Sequence, residues 1–463
     1  MDGIANSPAA RDKAFLVHPM TNLQKHLEIG PTILSHGKGV RVWDDAGKEY
    51  IEGMAGLWCT ALGYGEERLV QAAATQMRKL PYVQQFRHMS HDVGIDLAEK
   101  LVGMAPEGMG KAFFVNSGSE ANDSIVKFVR FYQNAMGRPA KKKIIARMKG
   151  YHGTTLVAAS LSGLPHMHAA FDLPIADVKH TSCPHYYRYG AEGESEEDFA
   201  TRMADDLEKM ILEEGPETVA AFFAEPVMGA GGVITPPATY FEKIQAVLKR
   251  HDVLFVADEV ICGFGRTGQM FGSQTYDLKP DFMTVAKALS SAYLPIAGVL
   301  IRNEIFDVIA RHSGELGILG HGYTYSGHPV ASAVALETLK IYEEIDIVAK
   351  VQGVAQTFLA ELHSFVDHPL VGEARGVGLV GALELVTDKQ AKTAVDPKGP
   401  VPDFLYDRVM AAGLITRPIG NAIAFCPPLI ISHDEIRELF ARFRTALDET
   451  LDFMVREGMS PAA

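Results

Sequence analysis

The sequence predicts an α/β protein built on a mostly parallel sheet. Two observations point there. The middle of the chain alternates near-continuous apolar runs with segments of helical periodicity, and strands that are apolar on both faces are covered by helices on both sides. The chain is also long: 463 residues, 47% hydrophobic and 22% charged, give room for a large core and two domains.

The elements follow in order. Residues 40–44 and 49–51 read as a hairpin across Asp45-Ala-Gly-Lys48. Residues 112–115 form a buried strand, and 120–135 a helix with Ile125, Val129 and Tyr132 on one face. A strand at 144–146 comes next. Phe199, Met203, Leu207, Met210 and Ile211 then keep helical spacing. A strand at 219–224 precedes a helix marked by Phe241, Ile244, Val247 and Leu248. Apolar runs at 253–257, 282–286 and 296–301 add three strands. A helix runs from Pro329 to about Glu344, short strands lie at 378–386, 414–417 and 422–425, and a helix over 434–456 has Ser432 as its N-cap. Proline disfavours helix before it, so Gly327-His328-Pro329 is a boundary. Residues 60–328 then form a large domain, and 1–59 with 329–463 a smaller α+β one. Lys141-Lys-Lys143 reads as a solvated turn, and 190–198 as an exposed loop.

A formal net charge of −13 argues against a nucleic-acid partner. Cys59, Cys183, Cys262 and Cys426 are dispersed, without a zinc or disulfide pattern, which suits a reducing compartment; Cys262 reads as a small buried filler. Asp2, Arg11, Asp12 and Lys13 interrupt any secretory signal, and no apolar stretch is long enough for a bilayer. The expectation is a cytoplasmic protein. His166 and His168 lack an acid to complete a metal set, so no metal is expected.

The chemistry centres on 255–291. One apolar run ends in Asp258-Glu259, and a second ends in Lys287, 29 positions after Asp258. Lysines are costly to bury unless paired, deprotonated or covalently used. An acid and a lysine at two strand ends suit pyridoxal 5′-phosphate (PLP): the amine attaches the cofactor, and the acid keeps the ring nitrogen protonated. A strand-end salt bridge and a snorkelling lysine are the bland alternatives. Asn116-Ser117-Gly118-Ser119-Glu120, between strand and helix, can cradle a phosphate or simply form a capping box. Gly150-Tyr151-His152-Gly153 can lay an aromatic flat on a ring, or bury a tyrosine at a turn. Gly263-Phe-Gly-Arg-Thr-Gly268 imitates a dinucleotide fingerprint, but no helical face follows it, so a nicotinamide cofactor is disfavoured.

Together these segments resemble the class-III, or omega, aminotransferases of PLP fold type I, over nearly the whole chain. Gly53-Met-Ala-Gly-Leu-Trp-Cys59, Glu225-Pro226, Asp258-Glu259-Val260, Lys287, Gly322-Tyr-Thr-Tyr-Ser-Gly-His-Pro329 and Arg417 complete the match. Within the class the chain is most similar to (S)-selective amine–pyruvate transaminases. The resemblance implies that Ser117, Gly118 and Ser119 bind the phosphate. Tyr151 would stack on the ring, Val260 would pack on its other face, and His152 and Glu225 would lie near it. Asp258 would pair with the ring nitrogen and Lys287 would carry the cofactor. Tyr323 and Thr324 would reach the neighbouring subunit's cofactor, which implies a homodimer with shared sites; pairing into tetramers stays open. Leu57, Trp58, Phe86, Tyr151, Ala230 and Ile261 would line the substrate pocket, and Arg417 would grip a carboxylate with two prongs.

The implied reaction moves an amino group from a primary amine to a keto acid by ping-pong half-reactions, with pyruvate giving alanine. Relatives that use 2-oxoglutarate often carry arginine where Thr154 stands; a second carboxylate needs a second partner, so one arginine favours a monocarboxylate. Arg87, beside Phe86, could supply another cation. Met228, in place of a glutamine common in other branches, makes the pocket more apolar. The alternatives are a 2-oxoglutarate-dependent transaminase of 4-aminobutyrate, diamines or omega-amino acids, a PLP aminomutase, and a non-catalytic binding protein on a retained fold.

Overall fold

A computed structural model describes residues 6–459. Its centre is a seven-stranded sheet in the spatial order Met109–Val115, Ala297–Arg302, Phe282–Val285, Leu254–Asp258, Val219–Ala224, Lys143–Arg147, Val178–Thr181. Ala297–Arg302 runs antiparallel to both neighbours, and the remaining pairings are parallel. Every residue of Val219–Ala224, Leu254–Asp258 and Phe282–Val285 is buried, as near-continuous apolar strands require. Successive residues point to opposite faces. Ile144, Ala146, Phe223 and Val256 therefore pack with Ile125, Phe128 and Val129 of the helix Gly118–Ala135. Ile145, Phe222 and Phe255 pack on the other side with Phe199, Leu207 and Phe241 from Glu196–Glu214 and Tyr240–Arg250.

Both chain ends meet in a four-stranded sheet, where Leu414–Ile415 pairs in parallel with Glu49–Glu52. A further sheet orders Val371–Val377, Val380–Asp388, Ala422–Phe425 and Arg417–Ile419. The strand expected over 414–417 is therefore two strands in two sheets. Pro418 offers no N–H, which suits the edge position of Arg417–Ile419, and the split puts Arg417 at the start of that edge. Ser432 caps His433–Arg456 as expected, in a reciprocal capping box with Glu435.

Two expectations need correction. Lys141 is not solvated: it is buried, its amine 3.3 Å from the His251 carbonyl, while Lys142 stays exposed and Lys143 opens a strand. The 190–198 segment is not all loop. Ser195 accepts the Asp198 N–H at 3.1 Å, so the helix starts at Glu196. No helix among the described residues is long and apolar enough to cross a membrane.

Candidate active site

Five segments converge at the carboxyl ends of the parallel strands, where open α/β sheets bind their ligands. Ser117 caps Gly118–Ala135, its Oγ accepting the Glu120 N–H at 3.2 Å, and the Glu120 carboxylate accepts the Asn116 N–H at 2.7 Å. Gly118 and Ser119 are left with N–H groups that have no intrahelical partner, at the positive end of the helix dipole. The cap and the anion cradle are thus compatible. Gly118 is needed for closeness: a Cβ there would stand 3.2 Å from Val260 Cγ2 and 4.0 Å from Ala286 Cβ. Gly153 packs on Ser119, where a Cβ would lie 2.5 Å from Oγ, and Ser119 Oγ accepts the Thr154 N–H at 3.0 Å. Helix start, the 258–260 turn, the 150–154 turn and the residue before Lys287 therefore share one space.

Asp258 is buried and held from three sides. Its Oδ2 meets His152 Nδ1 at 2.8 Å and accepts Asn122 Nδ2 at 2.9 Å; its Oδ1 accepts the Val260 N–H at 3.1 Å. His152 thus turns its ring to the carboxylate and orients it. Asn122 also donates to the His152 carbonyl at 2.7 Å and accepts from Thr284 at 2.6 Å. Nothing in the sequence singled out Asn122 or Thr284.

Lys287 opens a short 3-10 turn at Lys287–Ser290, with φ of 50°. A non-glycine residue there is strained, which is common at functional sites. Burial lowers its amine pKa, and the negative charge of Asp258 opposes that shift. The amine enters no ion pair among the described residues. Glu225 is buried: its two oxygens accept the N–H groups of Tyr151 at 3.0 Å and Gly229 at 2.9 Å, and burial raises its pKa. It therefore ties the 151 turn to the loop that carries Ala230. Trp58 and Ile261 share an apolar cluster with Met54, Val233 and Ala424. Ala424 pairs with Arg417 of the edge strand, and Arg417 is close enough to Tyr151 for each to influence the other's ionisation. Leu57 is exposed on the turn beside Trp58.

Phe86, Tyr323 and Thr324 gather in a second group. Phe86 sits where a Gly322 Cβ would meet it at 2.7 Å, the Tyr323 hydroxyl is 3.4 Å from Ser124 Oγ, and the Thr324 carbonyl accepts the Tyr82 hydroxyl at 2.9 Å. Phe86 and the Thr324 side chain face outward. The glycine turn at 263–268 connects instead of cradling: Arg266 donates to the carbonyls of Leu379 and Pro427. Among the described residues two further His–carboxylate groups occur, Asp12–His18–His26 and His185–Glu373–Glu384; in the second, Arg375 and Arg188 occupy the carboxylates.

The residues fit PLP. A cradle of helix-start N–H groups, a buried oriented carboxylate and a half-buried lysine with no ion-pair partner among the described residues lie around one space, which glycine keeps open. A family model for class-III aminotransferases matches residues 24–447. The mitochondrial gamma aminobutyrate transaminase 1 of Solanum lycopersicum is 51% identical over 436 residues, or 94% of this chain and 85% of that protein. The omega transaminase of Pseudomonas jessenii, solved in complex with PMP, superposes with a TM-score of 0.95 at 53% identity, covering 96% of this chain and 99% of that one. A thermostable omega transaminase variant, W58M/F86L/R417L, engineered for asymmetric synthesis of enantiopure bulky amines, matches with the same score and identity over 96% of this chain and 100% of its own. A transaminase solved with L-alanine matches at a TM-score of 0.90 and 54% identity, over 91% of this chain and 100% of that one. Likeness at this level over nine-tenths of the chain fixes the family: this chain belongs to the class-III aminotransferases, PLP-dependent enzymes of fold type I.

Proposed function

We propose that this enzyme moves an amino group from a primary amine to a monocarboxylic keto acid, pyruvate, giving alanine. The observation that carries the reading is Arg417. It is half-buried, neighbours Tyr151, and pairs with no carboxylate among the described residues, so its fork is open to a substrate. Thr154 supplies no second cation; it is exposed and gives its N–H to Ser119. One guanidinium suits one carboxylate per half-reaction. The relative solved with L-alanine favours the same acceptor. The W58M/F86L/R417L variant was engineered for synthesis of bulky amines, and Trp58, Phe86 and Arg417 stand at the same numbers here, which favours their placement in the pocket.

The tomato relative favours a second reading for the donor, 4-aminobutyrate. That donor is also a monocarboxylate and would place its acid on Arg417. PLP, when bound, supplies a carbonyl for amine exchange and a ring that draws electrons from the substrate carbon. Gly118 and Ser119 would hold its phosphate, Tyr151 and Val260 its faces, and Asp258 its ring nitrogen. Lys287 would hold it covalently at rest; once displaced, its amine, its pKa lowered by desolvation, would move the proton at the reacting carbon. Thr324 and Tyr323 would serve the partner copy's phosphate in a homodimer. The outward Phe86 and the exposed apolar side chains Phe15, Leu16, Val17 and Met20 suit such an interface. The four free thiols suit the cytoplasm.

Stopped-flow half-reactions test the acceptor. Enzyme loaded with pyridoxamine phosphate should be consumed faster by pyruvate than by 2-oxoglutarate. The reverse order would replace pyruvate with the dicarboxylate.

A further inference from the structure

The loop bearing Ala230 is a small hairpin. Met228 and Ile234 exchange both backbone hydrogen bonds at 3.0 Å, so 229–233 forms its tip. The tip is strained. Val233 has φ of 53°, and a β-branched residue in the left-handed region is a strained outlier. Val233 is nonetheless fully buried in the cluster that contains Trp58 and Ile261, and a Gly229 Cβ would stand 2.3 Å from Ile261 Cδ1.

Arg375, on the strand Val371–Val377, grips this tip. Its Nε donates to the carbonyls of Gly232 and Val233 at 3.1 Å each, and its Nη2 to the Gly232 carbonyl at 2.5 Å. The rest of the guanidinium binds Glu373 at 2.6 Å and Glu384 at 2.9 Å. Glu384 also takes Arg188 at 2.8 Å, and Glu373 meets His185 at 2.9 Å. Arg375 is 6% exposed, so these bonds are shielded from water. Its strand and the strand Arg417–Ile419 lie in one sheet, and Gly232 leans on that sheet at Ala422.

We propose that Arg375 is a positioning residue for substrate selection: it holds the strained 229–233 tip against the Arg417 sheet and so fixes the pocket width at Ala230 and Val233. The inference rests on the reading of Ala230 as a pocket residue. The planar fork spans two adjacent carbonyls and two carboxylates at once, which a lysine amine cannot do. Without the fork, the cheapest relaxation returns Val233 to a negative φ and withdraws its side chain from Trp58. The pocket widens there, and bulky amines gain on small ones.

The test compares holoenzymes of the wild type, R375K, E384Q, A230G and the double variant R375K/V233G. The readouts are kcat/KM for a bulky and a small uncharged amine, bound-cofactor absorbance, and the half-reaction with alanine. R375K should raise the bulky-to-small ratio about tenfold, the scale set by a methylene-sized change in a pocket. Cofactor absorbance and the alanine half-reaction should stay within about twofold, since neither reads the pocket width. Glycine at 233 removes the side chain that narrows the pocket beside Trp58, so the double variant R375K/V233G should favour bulky amines at least as much as R375K alone; a lower ratio would contradict the proposal. E384Q keeps the side-chain size and weakens one of the bonds that aim Arg375, so it should shift the ratio the same way by less, even if R375K does not fold. A changed ratio in A230G secures the pocket reading; an unchanged ratio in R375K or E384Q then overturns the positioning role alone. Unchanged discrimination in A230G overturns the pocket reading, and the proposal with it.

Discussion

Replacing Asn122 with alanine probes the least visible part of the site. The substitution removes three buried hydrogen bonds: to the His152 carbonyl at 2.7 Å, to Asp258 Oδ2 at 2.9 Å, and from Thr284 at 2.6 Å. Two neutral bonds contribute about 1 kcal/mol each, and one to a carboxylate about 1.5–3, so stability should fall by roughly 4 kcal/mol. Asp258 keeps two of its three partners, His152 and Val260, and should stay in place but aim loosely. A loss of about 1.5–3 kcal/mol of orientation corresponds to a ten- to hundredfold slower half-reaction. Urea unfolding gives the first quantity, and stopped-flow half-reactions at saturating cofactor give the second. Normal half-reaction rates in a destabilised protein would refute the claim that Asn122 aims Asp258. A stability loss under about 1 kcal/mol would refute the hydrogen-bond network itself.

Arg417→Ala should weaken pyruvate and 4-aminobutyrate by about 30-fold or more in kcat/KM, the scale of a lost charge-assisted bond, and leave an uncharged amine near wild type; steady-state kinetics with each substrate checks this. Glu52 is buried beneath the Trp58 turn, accepts the Met54 N–H at 3.0 Å, and is pushed by burial up to about 7. The folded state therefore binds this proton more tightly than the unfolded one, and stability falls as pH rises from the unfolded value of 4.5 toward 7. Glu52→Gln should remove that limb and gain up to roughly 3 kcal/mol on the wild type at pH 8 relative to pH 4, measured by urea midpoints; parallel pH profiles would contradict it. Mixing Lys287→Ala with Thr324→Ala subunits should restore tight PLP binding at one site per heterodimer, read by fluorescence titration, because one site then holds both native residues; no recovery would contradict sharing.

The sequence made some of this legible and hid the rest for physical reasons. Asp258 and Lys287 stand out because a charge at the end of an apolar strand has no cheap explanation. Gly118 stands out because a glycine before a helix implies close approach, here to Val260. Asn122 is silent: a polar residue inside a helix looks solvated, and its partner Asp258 is 136 positions away. Arg375 precedes the expected 378–386 strand and carries no signal of its own until the 229–233 tip packs on it. The division at Thr416 was hidden because 414–417 reads as one short strand, while its halves pair with strands from opposite ends of the chain. The helix Ile347–His363 could have been read, since Ile347, Val351, Val354, Phe358 and Leu362 keep its spacing.

The central claim is that Lys287 carries the cofactor. Reducing the PLP-loaded protein with borohydride and mapping its peptides by mass tests this directly. The account predicts a phosphopyridoxyl adduct on the peptide containing Lys287. An adduct on another lysine, or none in fully loaded protein, would contradict it.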